Sequence, residues 1–420
     1  MARREHTQHN QIDKRKHASA FAGRKEKPTE AGRRNDHARA ERTPVTFMAS
    51  GVAARDWALP VAVTVETEAQ LAEVLKHDAV ALVYLDEACF TDFAALIQRV
   101  HAAGKKAGLR LRRIERDFDA NGRKAENSAE LLNGLWKAAC DAQTTGVPEC
   151  SAEECEAQSV SSADRGSAAA AEAGSQMSAS GKQPPSCLPD ALLVRNLDEA
   201  MLLEDFFGAH PELGARIRRN FDYTVYGYNQ EAIQALVSLG ADGLTYPIEL
   251  TYHECRKLRA TLRSSVHGAD GTRGTNADAV EGESTPVPAA ARAGADAEAD
   301  SIGLGELPFE LMIYGHLPMM VSANCIQRTS ARCDHGNRIL QLRDRMGKDM
   351  PVRCYCTYCY NQIFNAEPLV LYDLPDEVRA LQPQCLRYDF SVEPAAVVRQ
   401  VLEGAVPRSM TRGHFRHGIE

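Results

Sequence analysis

Eight times along the chain a short run of aliphatic and β-branched residues appears, and after all but one of them comes a stretch with helical apolar spacing. The runs are 60–65, 81–85, 108–112, 191–194, 217–226, 243–246, 309–314 and 385–390. Helical patterns follow at 68–76, up to 103, 129–142, up to 207, 230–239, 252–262 and 394–402. Strands alternating with helices specify parallel pairing, because a parallel partner is reached only by a crossover. Eight such units are the number that closes a barrel, so the pattern predicts an α/β fold, a (β/α)8 TIM-like barrel. Gly104 and Gly240 stand just past two of the helices, where a left-handed cap is favoured. The competing architecture is an open doubly wound sheet, but no Gly-x-Gly-x-x-Gly follows the first strand to favour it.

Length alone is misleading. The 420 residues would divide into two or three domains at ordinary domain size. Three stretches, however, lack the apolar content to repay the entropy of ordering. They are a basic tail over 1–45, with Lys14-Arg15-Lys16 and Arg33-Arg34, and low-complexity insertions over 143–187 and 264–305. The expectation is therefore one barrel domain over 57–405, interrupted twice, with a further tail at 406–420. The composition is that of an ordinary globular chain, 44% hydrophobic and 25% charged, with a formal net charge of −8. No apolar run is long enough to span a bilayer, so no membrane partner is expected. The opening residues Met1-Ala-Arg-Arg-Glu-His lack the apolar stretch of a secretory signal, and the expected location is cytoplasmic.

In that setting 12 cysteines do not read as a disulfide framework. Five of them crowd between the seventh and eighth strands: Cys325, Cys333, Cys354, Cys356 and Cys359. Taking Cys356 and Cys359 as a pair gives Cys-x7-Cys-x22-Cys-x2-Cys. Four thiolates suit a tetrahedral zinc or an iron–sulfur cluster, and spacing does not choose between them. Cys354 is a fifth thiol that could take the place of Cys356. The module spans 320–370. Cys89, Cys140, Cys255 and Cys385 fit buried helix or strand positions, and Cys150, Cys155 and Cys187 fall in the first insertion.

Barrel enzymes react at the C-terminal ends of their strands. That rule selects Asp86, Asn196, Tyr226, Asn229, Glu249, His316 and Asp389 as candidates. Each has a plainer role available, and Asn229 and Glu249 in particular could cap the helices that follow them.

The stretch Glu310-Leu-Met-Ile-Tyr-Gly-His-Leu-Pro-Met-Met-Val-Ser-Ala-Asn-Cys325 closely resembles the signature region of peptidase family U-32, the collagenase-like proteases. Leu342-Arg-Asp-Arg-Met-Gly-Lys-Asp-Met-Pro-Val352, Cys356-Thr-Tyr-Cys359 and Asn365-Ala-Glu-Pro-Leu369 extend the resemblance. Phe221-Asp-Tyr-Thr-Val-Tyr-Gly-Tyr-Asn229 and Leu244-Thr-Tyr-Pro-Ile-Glu-Leu250 resemble two of its strand ends. The resemblance implies a β/α barrel with a 4Fe–4S cluster on Cys325, Cys333, Cys356 and Cys359. It also implies a hydroxylation of RNA bases or of a quinone ring, in some relatives with prephenate as oxygen source. Under that reading His316, Glu249 and Asn229 are the catalytic candidates. Arg343 and Arg345 would bind a carboxylated cosubstrate, since guanidinium matches carboxylate bidentately. The basic tail would add affinity for RNA phosphates. Two alternatives stand beside it. One is a peptidase, for which the sequence offers neither His-Glu-x-x-His nor Gly-x-Ser-x-Gly. The other is a non-catalytic partner of a separately encoded barrel, because long relatives carry a further N-terminal barrel that this chain lacks.

Overall fold

The computed structural model describes residues 45–144, 186–267, 303–329, 333 and 335–417. The chain enters through β1 (Phe47–Ser50), which pairs antiparallel with the last strand, β13 (Ala405–Pro407). Between them runs an alternation of β2 (Val61–Val65), α1 (Glu68–Val74), β3 (Val80–Asp86), α2 (Phe93–Ala102), β4 (Lys106–Arg110) and α3 (Ser128–Thr144). It continues through β5 (Ala191–Val194), α4 (Leu197–Ala209), α5 (Pro211–Gly214), β6 (Arg218–Phe221), α6 (Gln230–Ser238), β7 (Gly243–Thr245) and α7 (Tyr252–His267). The strand β8 (Phe309–Ser322) is followed by α8 (Ile326–Thr329), β9 (Ile339–Arg343), β10 (Asp349–Tyr355) and β11 (Tyr360–Val370). The last unit is α9 (Pro375–Ala380), β12 (Cys385–Asp389) and α10 (Ala395–Leu402).

Strands β2 to β8 pair in parallel in chain order, and β12 pairs in parallel with both β8 and β2. The eight strands thus close into an all-parallel barrel, and all eight coincide with the runs read from sequence. The fifth is shorter than its run: β6 ends at Phe221, and Tyr223–Val225 turns as a 3-10 helix. The seventh is longer, because β8 leaves the barrel and continues antiparallel to β11. With β10 and β9 it forms an antiparallel extension that begins before residue 320.

Period-2 alternation sorts the strand residues into two layers. Val61, Val63, Val65, Val83, Leu85, Leu109, Leu192, Val194, Phe221, Leu244 and Leu386 join the shell between barrel and helices. The opposite positions line the barrel interior. Ala62, Tyr84, Ala191 and Leu193 form a small separate cluster there. Gly108 makes room for it, since a Cβ at that position would lie 2.4 Å from the Tyr84 ring.

Several segment expectations need correction. Helix α3 reaches Thr144 and α7 reaches His267, so both insertions start later than expected. Cys187, assigned to the first insertion, is buried, with its thiol 3.5 Å from the Leu135 carbonyl. The rest of the insertions, with Cys150 and Cys155, and the tail up to residue 44 lie outside the described residues. Residues 406–417, part of the expected tail, pack against the barrel. Thr411 donates to the Pro368 carbonyl, Arg412 pairs with Asp373, and Phe415 is buried against Tyr252. Among the described residues no helix is long and apolar enough to cross a membrane.

Candidate functional site

The interior of a barrel of this kind is ordinarily filled by branched apolar side chains. Here its C-terminal half is charged. Thr64, Asp86, Arg110, Asn220, Thr245, Glu310, Arg387 and Asp389 occupy inward positions on seven of the eight strands, and all are buried. Glu66, Arg195 and Asp222 follow directly on β2, β5 and β6 and are buried with them.

Arg387 is the hub. Its guanidinium donates to Asp222 at 2.6 Å, to Glu310 at 2.7 Å and to Thr245 at 3.1 Å, with Asp389 at 3.2 Å. Thr64 donates to Asp389 at 2.6 Å. Asn220 bridges Thr245 and Glu310. Towards the mouth, Arg110 donates to Glu66 at 3.1 Å. Arg110 and Arg195 each stand 3.6 Å from Asp86. Burial alone would raise Asp389, but Arg387, Arg110 and Arg195, with the Thr64 hydrogen bond, hold its carboxyl below the usual range. For Glu310 burial prevails, and the nearby charges of Asp222 and Asp389 add to it against Arg387, so its carboxyl is raised. Glu66 is raised as well, by burial and by the charge of Asp86, against the pull of Arg353 and Arg110.

The antiparallel extension caps this network. Arg353 of β10 donates to the Glu66 carbonyl at 2.8 Å and stands 3.1 Å from its carboxylate. Tyr355 donates its hydroxyl to Glu66 at 3.1 Å and stacks on Tyr360 with ring centroids 4.8 Å apart. Tyr355, Tyr360 and Ala88 pack together over the mouth. A second link runs from the loop after β4. Its Arg112 guanidinium lies 4.5 Å from the Tyr358 ring, and Ala120 donates to the Thr357 carbonyl at 2.7 Å. Arg112 is held at 3.0 Å by Glu87 and at 3.1 Å by Glu115. Ser128 donates to Glu87 at 3.0 Å and lies 3.4 Å from Glu199. Burial lifts Glu87 to about 7 and raises Glu199 well above the carboxylate range, the latter reinforced by Glu87 and Glu115.

The thiols of the module gather at this end. Cys325 follows β8, Cys356 and Cys359 bound the turn between β10 and β11, and Cys354 lies within β10. Cys359 takes the left-handed conformation that such a turn requires (φ 54°). Cys354 and Cys356 are buried, Cys325 and Cys359 half-buried, and Cys333 exposed. Burial, with the neighbouring thiols of Cys354, Cys325, Cys333 and Cys359, pushes Cys356 up to about 12. Burial also raises Cys354, against a hydrogen bond from Gln327. Thiols are donors for a soft metal or cluster, and Cys356 stands within electrostatic reach of the other four. Among the described residues no three His, Cys, Asp or Glu side chains form a group that could hold a metal ion.

The other candidates separate clearly. Asp86 and Asp389 belong to the network. Asn229, a catalytic candidate, caps α6, its side chain accepting from the Ala232 N–H at 2.8 Å. Asn196 caps α4 in the same way. Tyr226 is exposed, in a left-handed turn (φ 61°). Glu249 is half-buried beyond β7 and raised by burial, with the charges of His414 and Arg113 opposing. His316 lies inside β8 rather than after it. Its Nδ1 donates to the Asn365 carbonyl at 2.7 Å, and its Nε2 stands 3.6 Å from Glu393. Arg343, a substrate-binding candidate, forks onto Asp349 of the same hairpin at 2.8 and 3.1 Å. Arg345 is exposed in the same hairpin's turn.

Sequence reasoning missed Glu66, Arg110, Arg195, Asp222, Glu310, Arg353 and Arg387. The signal was present: charged residues at alternate positions inside otherwise apolar strands, as in Leu386-Arg-Tyr-Asp389. Neither a scan against protein-family models nor a search of curated proteins returns a match to this chain.

Proposed function

We propose that the chain is a barrel enzyme of the U-32 type. It carries a 4Fe–4S cluster on Cys325, Cys333, Cys356 and Cys359 and acts in a hydroxylation-type reaction on an RNA base or a small aromatic ring. The observation that supports this most is the continuity of the Cys-bearing extension with β8. It lies over the C-terminal end of the barrel, the reactive end in such folds, and sets Arg353 and Tyr355 against Glu66. When bound, such a cluster supplies one-electron chemistry. This chain's own residues provide its thiolates, a dry barrel mouth and guanidinium groups close to it. The guanidinium groups nearest the mouth, Arg110 and Arg195, are buried against Glu66 and Asp86, so a carboxylated cosubstrate such as prephenate would have to displace those acids.

Purification without oxygen tests the reading. The expected product is brown, with about four irons per chain. A colourless protein with stoichiometric zinc overturns it. Cys356→Ser is expected to remove the colour and Cys354→Ser to keep it. The reverse result would exchange the ligand assignment.

A second reading, a non-catalytic partner of another barrel, is favoured by the filling of the mouth by Tyr355, Tyr360 and Arg353. Full iron content with no turnover until a second barrel is added would support it. For the peptidase alternative, His316 has no Ser or Cys at hydrogen-bond distance among the described residues, and gelatin hydrolysis by the metal-free chain would be its decisive support.

A further inference from the structure

At the opposite end of the barrel, where the strands begin, lies a cavity of about 480 Å³. Trp57, Ala58 and Leu59 form one wall, and Arg263 of α7 with Arg379, Gln382 and Gln384 forms the rest. We propose that this cavity is a binding site for a phosphate group, carried on a small ligand that acts away from the Cys module.

Three observations carry the proposal. First, two arginines from separate elements line the cavity, and no carboxylate lines it among the described residues. Among the described residues the acid paired with Arg379 is Asp376, at 3.6 Å, with the two side chains 57% and 96% exposed, so water screens the pair. Second, both arginines are pre-arranged. The Arg379 guanidinium lies over the Trp57 ring, 5.5 Å from its centroid, and Arg263 donates to the Gln382 side-chain oxygen. A fork held in place loses less freedom when it binds an oxyanion. Third, Gln382 ends α9 as its left-handed cap (φ 51°), with its N–H donating to the Arg379 carbonyl at 2.9 Å, so one turn fixes Gln382 beside Arg379. That conformation is the one from which its side chain meets Arg263.

Another cavity at this end offers a contrast. About 540 Å³ in volume, it mixes Asp78 and Asp190 with Lys105, Lys106 and His101, so its charges are already balanced by acids. The Arg263–Arg379 cavity, by contrast, has two arginines and no acid in its wall among the described residues. Phosphate is the ligand class chosen because two guanidinium groups can share its several oxygens.

Titration calorimetry of the full chain with inorganic phosphate, at constant ionic strength, tests the site. Saturable binding is expected, weakened about tenfold or more in Arg263→Gln and in Arg379→Gln, as the loss of one charge-assisted contact implies. In a Trp136→Phe background Trp57 is the remaining tryptophan of the two, and its fluorescence should follow the same isotherm. Circular dichroism and the unfolding midpoint should be unchanged in both arginine variants. Absence of saturable phosphate binding, or equal binding by both variants, overturns the site. Saturable binding of acetate but not of phosphate overturns the phosphate assignment.

Discussion

At the scale of single residues, Arg387 decides most about the barrel interior. It is fully buried and answers Asp222, Glu310 and Asp389 together. Removing one partner of a buried ion pair leaves the others uncompensated. Arg387→Met should therefore lower unfolding free energy by about 3–5 kcal/mol, read from denaturant midpoints. His101 governs a different dependence. Its Nδ1 faces the Ser186 carbonyl at 2.7 Å and its Nε2 faces Asp190 at 2.8 Å, two acceptors, so both bonds are complete only in the imidazolium. The Asp190 hydrogen bond raises His101, against burial and the charge of Arg216, while the Ser186 carbonyl adds to the rise. Asp190, which burial would raise, is held low by His101, by the Ala107 N–H and by Lys106. A raised histidine contributes stability below its unfolded value, and that contribution fades as pH rises through its folded value. A lowered aspartate contributes above its unfolded value and fades as pH falls through its folded value. Stability from this pair is thus greatest between the two unfolded values, about pH 4 to 6.5. Asp190→Asn should depress the melting temperature more at pH 5.5 than at pH 9, and equal depression at both would rule the pair out.

At the scale of elements, caps and strand ends separate structural polar residues from candidate functional ones. Asn229 holds the first turn of α6, so Asn229→Ala should cost about 1 kcal/mol of stability and leave iron content unchanged. Loss of iron in that variant would return Asn229 to the site. Strand β4 owes its fit to Gly108. Gly108→Ala drives a Cβ into the Tyr84 ring and should destabilise the chain by about 1–3 kcal/mol in thermal or denaturant unfolding. Both elements were legible in sequence, because the hydrophobic period and the cap residue are local signals. The end of β6 was not. Tyr223, Thr224 and Val225 read as strand formers, but Asp222 caps the 3-10 turn, accepting from the Tyr223 N–H at 2.9 Å, and ends the strand five residues early.

At the scale of the whole molecule, the barrel and the Cys-bearing extension are a continuous unit, with β8 shared between them. Relaxing Arg353 and Tyr355 should therefore loosen the cap without unfolding the barrel. In Tyr355→Phe combined with Arg353→Met, hydrogen exchange should rise in 339–363 more than in β2–β5, and a uniform rise would show that the two unfold together. The sequence by itself determined the eight-strand order and seven of the helices, because periodicity and caps are written in neighbouring residues. Only the tertiary structure decided the rest. Barrel closure turned alternate strand positions inward, so Glu66, Arg110, Arg195, Asp222 and Arg387, which are up to 321 positions apart, became one buried network. The same closure gave Asn229 to a helix end and Arg343 to Asp349, and packed residues 406–417 against the barrel. Charge pairing across such separations depends on which strands become neighbours, and no local pattern of residues encodes that.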